Sequence, residues 1–197
     1  MRADARRNAD RLKRAAVDLF AKNGLSVPLK EIARAAGVSH GTLYNLFGTR
    51  EVLIDAVIDE IVADRLSDAA DRALALDCAW EGLATYVVAV CELQIENPAI
   101  ADLIKDPAFL NPSLPSLKRI CAQTANVSRQ IVERARRAGV TRPEVTENDL
   151  VHLFIAGNAI FQADGSTAMD QWRRHVSFTL DGYRAREAGP RGHAATH

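Results

Sequence analysis

The stretch Leu29–Phe47, LKEIARAAGVSHGTLYNLF, constrains this chain more than any other. It holds two short helical runs around a tight turn, and steeply crossed helices need particular residues at particular places. Ala33 is small where the second helix must cross. Gly37 supplies the turn, where a side chain would be strained. Ile32, Ala36, Val38 and Leu43 fill the wedge between the helices, and Phe47, four on from Leu43, anchors the end of the second. This is the spacing of a helix-turn-helix, a unit whose second helix lies in the DNA major groove. An ordinary α-hairpin in a bundle is the alternative that any one of these residues alone would allow.

The rest of the chain reads as helix. Leu12, Ala15, Ala16, Leu19 and Phe20 recur at i, i+3, i+4, i+7 and i+8, one face of a first helix that Asn23-Gly24 ends. Pro28 opens the second helix, Leu29–Ala36, because its missing N–H would be unpaired there anyway. Ser39 caps a third over His40–Phe47, and Gly48-Thr49 separates it from a fourth over residues 50–76. Further helices are expected over 77–97, 98–109, 115–138, 147–163 and 168–187, with loops at Asn97-Pro98, Asn111-Pro112, Gly139 with Pro143, and Asp164-Gly165-Ser166. No run alternates as a half-buried strand does. The expected fold is all-α, with about nine helices: a helix-turn-helix domain over 1–50, a larger helical domain over 51–188, and a disordered tail over 189–197.

Charge is uneven. Lys+Arg and Asp+Glu are both 25 over the whole chain, yet residues 1–50 hold ten bases against four acids. A basic front on an acidic body suits a nucleic-acid module joined to something else, though charge alone equally allows a solvated face. Three cysteines, Cys78, Cys91 and Cys121, show no CxxC spacing and read as reduced, mostly buried thiols. No apolar run approaches the ~18 residues of a membrane span. The polar N-terminus does not resemble a signal peptide, so a cytoplasmic protein without membrane partners is expected. Neither a nucleophile–base pair, a metal-ligand set nor a phosphate-cradling loop is evident, so no enzyme activity, cofactor or metal is expected. His152 and His175 lack ligand-spaced neighbours and read as ordinary helix residues.

The run Phe20-Ala-Lys-Asn-Gly24-Leu25, then Glu31-Ile-Ala-Arg-Ala-Ala-Gly-Val-Ser39, then Gly41-Thr-Leu-Tyr44, Phe47 and Thr49-Arg-Glu-Val-Leu53 closely resembles the DNA-binding domain of TetR-family transcriptional regulators. Trp172-Arg-Arg and Leu180-Asp-Gly-Tyr183 look like the last helix of one subgroup. The resemblance implies a homodimer whose N-terminal domains bind a double-stranded DNA operator and whose C-terminal domain dimerises and senses a small molecule, most members being repressors that their ligand releases. It also assigns roles. Ser39 caps the recognition helix, whose free N–H groups suit a phosphate. His40 reaches a base edge or a phosphate, Gly41 lets the backbone approach DNA, and Thr42, unless it is a plain surface residue, and Asn45 are groove contacts, Asn being able to pair with adenine. Tyr44 binds phosphate unless it is a core aromatic. Arg50, where the family often has Lys, clamps the backbone with a planar fork. Leu46 departs from the His of many members and offers only apolar contact. Arg6, Arg7 and Arg11 form either a phosphate or minor-groove arm or a solvated end.

For the C-terminal domain the resemblance implies a pocket between the fourth and seventh helices. Trp80, Tyr86, Cys91, Glu92 and Phe109 are its candidates, with plain core packing as the alternative. The segment around Phe154, Gly157 and Phe161 is apolar nearly all round, and Trp172, Val176 and Leu180 lie on a stripe of the last helix. A four-helix dimer interface would satisfy this surplus; so would burial within one subunit.

Overall fold

In the computed structural model, residues 2–105, 114–163 and 168–185 are described. Among them run nine helices: α1 (Arg2–Asn23), α2 (Leu29–Ala35), α3 (His40–Phe47), α4 (Arg50–Ala75), α5 (Ala79–Glu96), α6 (Pro98–Lys105), α7 (Pro115–Arg137), α8 (Glu147–Ala163) and α9 (Ala168–Tyr183). The one strand-like feature among these residues is an isolated antiparallel bridge between Thr141 and Arg184. Where both are described, expected and observed helix ends agree to within a few residues; the expected ends at 109 and 187 and the loops at Asn111-Pro112 and Asp164-Gly165-Ser166 lie outside the described residues. Phe109 and the expected tail lie outside the described residues.

Local chemistry explains the boundaries. Ser39 Oγ accepts from the Thr42 N–H at 3.1 Å and Thr49 Oγ1 from the Val52 N–H at 3.3 Å, each taking up an amide that its helix leaves unpaired. Asn97 Oδ1 does the same for Ala99 at the start of α6, at 3.0 Å. The start of α7 is capped from another helix: Asp55 Oδ1 on α4 accepts from the Ser116 and Leu117 N–H groups at 2.9 and 3.3 Å.

Two apolar cores share α4. Its first half, Leu53 to Val62, packs with α1, α2, α3 and α6 and with Leu117 and Ile120 of α7. Its second half, Ala69 to Ala73, packs with α5, α8, α9 and Ile131 to Ala135 of α7. Leu66 touches both. The far end of α4 is tied down by Arg134 of α7. Its guanidinium donates to Leu74 O at 2.9 Å, to Asp77 O at 3.0 Å and also to Leu76 O. These are carbonyls that the end of a helix otherwise leaves to solvent.

The cysteines differ from expectation in one respect: Cys91 is buried and Cys121 intermediate, but Cys78 is exposed. Burial, with a smaller contribution from Glu92, pushes the Cys91 thiol up to about 12, and burial pushes Cys121 up to about 11. The thiolate is the reactive form. In native protein at pH 8, a disulfide reagent is therefore expected to label Cys78 first and Cys91 only after denaturant is added. Separately, Arg134→Ala should lower the urea unfolding free energy by about 1–3 kcal/mol, since it strips charge-assisted partners from three carbonyls.

Candidate nucleic-acid interface

The turn between α2 and α3 closes as the residue types require. Gly37 has φ +64°, a conformation that favours glycine, and the following Val38 N–H reaches back to Ala33 O at 3.0 Å. Ile32, Ala33, Ala36 and Leu43 are buried, with Val38, Leu46 and Phe47 packed at the edge of the same core. With that face inward, α3 must turn Ser39, His40, Gly41, Tyr44 and Asn45 outward, and all five are exposed. Tyr44, 46% exposed, is not a core aromatic. Its ring meets that of His40 edge-on, with centroids 4.8 Å apart, so the two side chains brace each other on the surface. Thr42 is half-buried, its hydroxyl 2.8 Å from that of Ser39.

Arg50 has a second task. Its Nη1 donates to Leu25 O at 2.7 Å and Val27 O at 2.6 Å, which ties the start of α4 to the α1–α2 loop. Beside it a surface depression of about 500 Å³ is lined by Pro28, Leu29, Lys30, His40, Tyr44, Gly48, Thr49, Arg50 and Glu51. Lys30 is a cation that the sequence reading did not single out; its place one residue into α2 was the available signal. Glu51 is the anion of the group. Its own backbone N–H, the Thr49 hydroxyl and the charge of Arg50 hold its carboxyl below the ordinary carboxylate value.

Arg6, Arg7 and Arg11 are exposed, but α1 is helical from Arg2, so they line a helix rather than a loose arm. Arg7 pairs with Asp4, and Arg11 Nη2 donates to Gly37 O at 3.4 Å, next to the turn.

The other expected sites change more. A cavity of about 470 Å³ lies between α4 and α7, with Ala63, Asp64, Leu66, Ser67, Ala70, Asp71 and Leu74 on one wall and Arg119, Ile120, Gln123, Thr124, Asn126 and Val127 on the other. Tyr86 lines it from α5 and shares a buried hydrogen bond of 3.1 Å with Ser128. Of the expected pocket residues that are described, only Tyr86 lines it. Cys91 is packed in the second core, Glu92 is exposed on a separate groove, and Trp80 lies half-buried beneath the Arg184 guanidinium, 4.4 Å from its ring centre. At ~100° per residue, positions 80, 86, 91 and 92 cannot share one face of a helix. The walls do carry a legible signal: Ile120, Gln123, Thr124 and Val127 recur at i, i+3, i+4 and i+7.

The expected dimer residues are also placed elsewhere. Phe154, Gly157, Trp172, Val176 and Leu180 are buried within the single chain, and Phe161 is half-buried. Gly157 accommodates the indole of Trp172 from the same chain; a Cβ there would sit 3.4 Å from its Nε1. The second core thus absorbs the apolar surplus. What α9 leaves outside is Phe178, 64% exposed, with the Arg174 guanidinium 5.7 Å from its ring centre.

A compact head that turns a capped, polar helix face outward beside clustered cations defines a helix-turn-helix protein of the DNA-binding class. The chain matches the profile of the bacterial regulatory proteins of the tetR family over residues 12–57. It is 26% identical over 133 residues to the HTH-type transcriptional regulatory protein RaaS of Mycobacterium tuberculosis, covering 68% of this chain and 59% of that one, so it spans less than two thirds of this relative's length. A TetR transcriptional regulator of Streptomyces coelicolor is similar in structure, with TM-score 0.55, 25% identity and coverage of 91% of this chain and 99% of that one. The regulator RolR, solved with resorcinol, shares the fold with TM-score 0.65 and 22% identity, over 94% of this chain and 92% of that one. No described helix is long and apolar enough to cross a membrane.

Arg50→Ala is expected to destabilise the protein by about 1–3 kcal/mol in urea unfolding, because it frees two carbonyls from a charged donor. Tyr44→Ala, on an exposed face, should stay within about 0.5 kcal/mol of the parent.

Proposed function

We propose that this chain is a homodimeric repressor that holds a near-palindromic operator and is released from it by a small molecule. The observation that carries the reading is the outward face of α3, held by a Ser39 cap and a buried Leu43. Residues 1–50 act as the reading head and 51–188 as the sensing and dimerising part. On DNA, His40, Gly41, Thr42 and Asn45 face base edges. Ser39, Tyr44, Lys30 and the unengaged nitrogens of Arg50 meet phosphates, with Arg6, Arg7 and Arg11 along the flank.

Dimerisation uses the outer faces of α8 and α9 around Phe178, where a large aromatic otherwise faces water. The effector enters the cavity between α4 and α7, whose volume suits a small molecule. The resorcinol complex of RolR, a protein of the same fold, supports a ligand of that size. A ligand that fits only the form with misplaced heads lowers DNA affinity, and DNA lowers its affinity equally, by linkage. The long helix α4, running from Arg50 past the cavity, is the lever.

Selecting bound duplexes from a random library tests the whole reading. Two half-sites about 34–36 Å apart, or a multiple of that, are expected; a lone half-site or no enrichment would overturn it. Lys30→Ala should weaken binding to all duplexes alike and shallow the salt slope by about 1, whereas His40→Ala should also blur sequence preference. Phe178→Asp should raise the dimer dissociation constant about 10-fold or more, with the helical circular dichroism kept. An unchanged dimer would remove Phe178 from the interface.

A further inference from the structure

We propose that Asp102, on α6 and outside the reading head, is a positioning residue for operator binding that sets where the head stands relative to the dimerising half. The backbone of Leu25 is gripped from two sides: its N–H donates to Asp102 Oδ2 at 2.8 Å, while its carbonyl accepts from Arg50 at 2.7 Å. Gly24 is shaped for this contact. It has φ +80°, and a Cβ there would overlap the Asp102 carboxylate.

The neighbouring residue of α6 completes the connection. The Ala101 carbonyl accepts from Asn158 Nδ2 at 3.0 Å, and Asn158 is a buried amide on α8. Consecutive positions of one short helix are therefore bonded to α8 on one side and to the head on the other. The inference rests on the dimeric reading above: if α8 lies at the dimer face, α6 fixes how far apart two heads stand. Asp102 also pairs with Lys105 at 3.5 Å, but that contact is largely exposed and contributes little.

The test uses the full chain, with Asp102→Ala, Asp102→Asn and Lys105→Gln. The probes are the selected operator, the same duplex with its half-sites moved one or two base pairs, and a single half-site. Asp102→Ala should lower affinity for the full operator about 10-fold and flatten the preference among spacings. Half-site affinity and dimer mass should not move. Asp102→Asn keeps an acceptor oxygen and should restore most of the loss, while Lys105→Gln should behave as the parent. In hydrogen exchange, the Leu25 amide should open faster in Asp102→Ala alone. Parental spacing preference in Asp102→Ala, equal losses on full and half sites, or no rescue by Asn would each overturn the proposal and leave the dimeric reading intact. A parent chain that is monomeric or ignores duplex DNA would overturn both.

Discussion

The structure depends on α4 being one unbroken helix shared by two apolar cores. Leu53, Val57, Ile58, Ile61 and Val62 belong to the core under the head, while Ala69, Ala70 and Ala73 belong to the other. A helix is stiff, because each turn is hydrogen-bonded to the next. Neither core can therefore shift along α4 without disturbing the other. The residue sizes differ as well. Large branched side chains in the first half hold α1 and the head at a distance, and alanines in the second half let α5 come close. Gly82 marks that close approach, for a Cβ there would stand 2.7 Å from Ala73 O.

A second constraint follows from how α7 is fastened to α4. At one end Asp55 caps the first amides of α7 and Asp59 pairs with Arg119; at the other Arg134 takes the carbonyls that end α4. Between these fastenings the two helices face each other across small and polar side chains, including Ala63, Ser67, Gln123 and Thr124, and leave the cavity. Helices joined at both ends and lightly packed between them yield most easily in the middle. The cavity reaches α4 at Leu66, the residue that touches both cores.

The head was legible in the sequence because its demands are local. Gly37, Ser39, Pro28 and the Ile32–Leu43 wedge each answer to geometry within a few residues. The helices of the remainder were legible for the same reason, through the period of their apolar positions. The sites there were not. Trp80, Tyr86, Cys91 and Glu92 share α5, but it turns Trp80 and Cys91 to the second core and Glu92 to solvent, and of the four only Tyr86 meets the cavity. The apolar surplus around Phe154 and Trp172 fitted a dimer face or an inner core equally well, because periodicity says that a face is buried without saying by what. Phe178, the aromatic that α9 leaves outside, lies off that stripe. Long-range hydrogen bonds such as Asp102 to Leu25 and Arg134 to Leu74 leave no trace in spacing at all.

The choice of Arg at position 50, a departure from the Lys common in the family it resembles, has a physical reason in these contacts. A lysine ammonium concentrates its donors at one point on a flexible stem. Placed between Leu25 O and Val27 O, it would have little left for a ligand on the outer side. A guanidinium spreads five donors around a plane. Nη1 serves the two loop carbonyls, and Arg50 also lines the depression shared with Lys30, His40 and Tyr44. One side chain can then hold the α1–α2 loop to α4 and still offer charge at the surface. Whatever moves α4 moves that charge, because the same bonds that hold the α1–α2 loop to Arg50 make the loop travel with it.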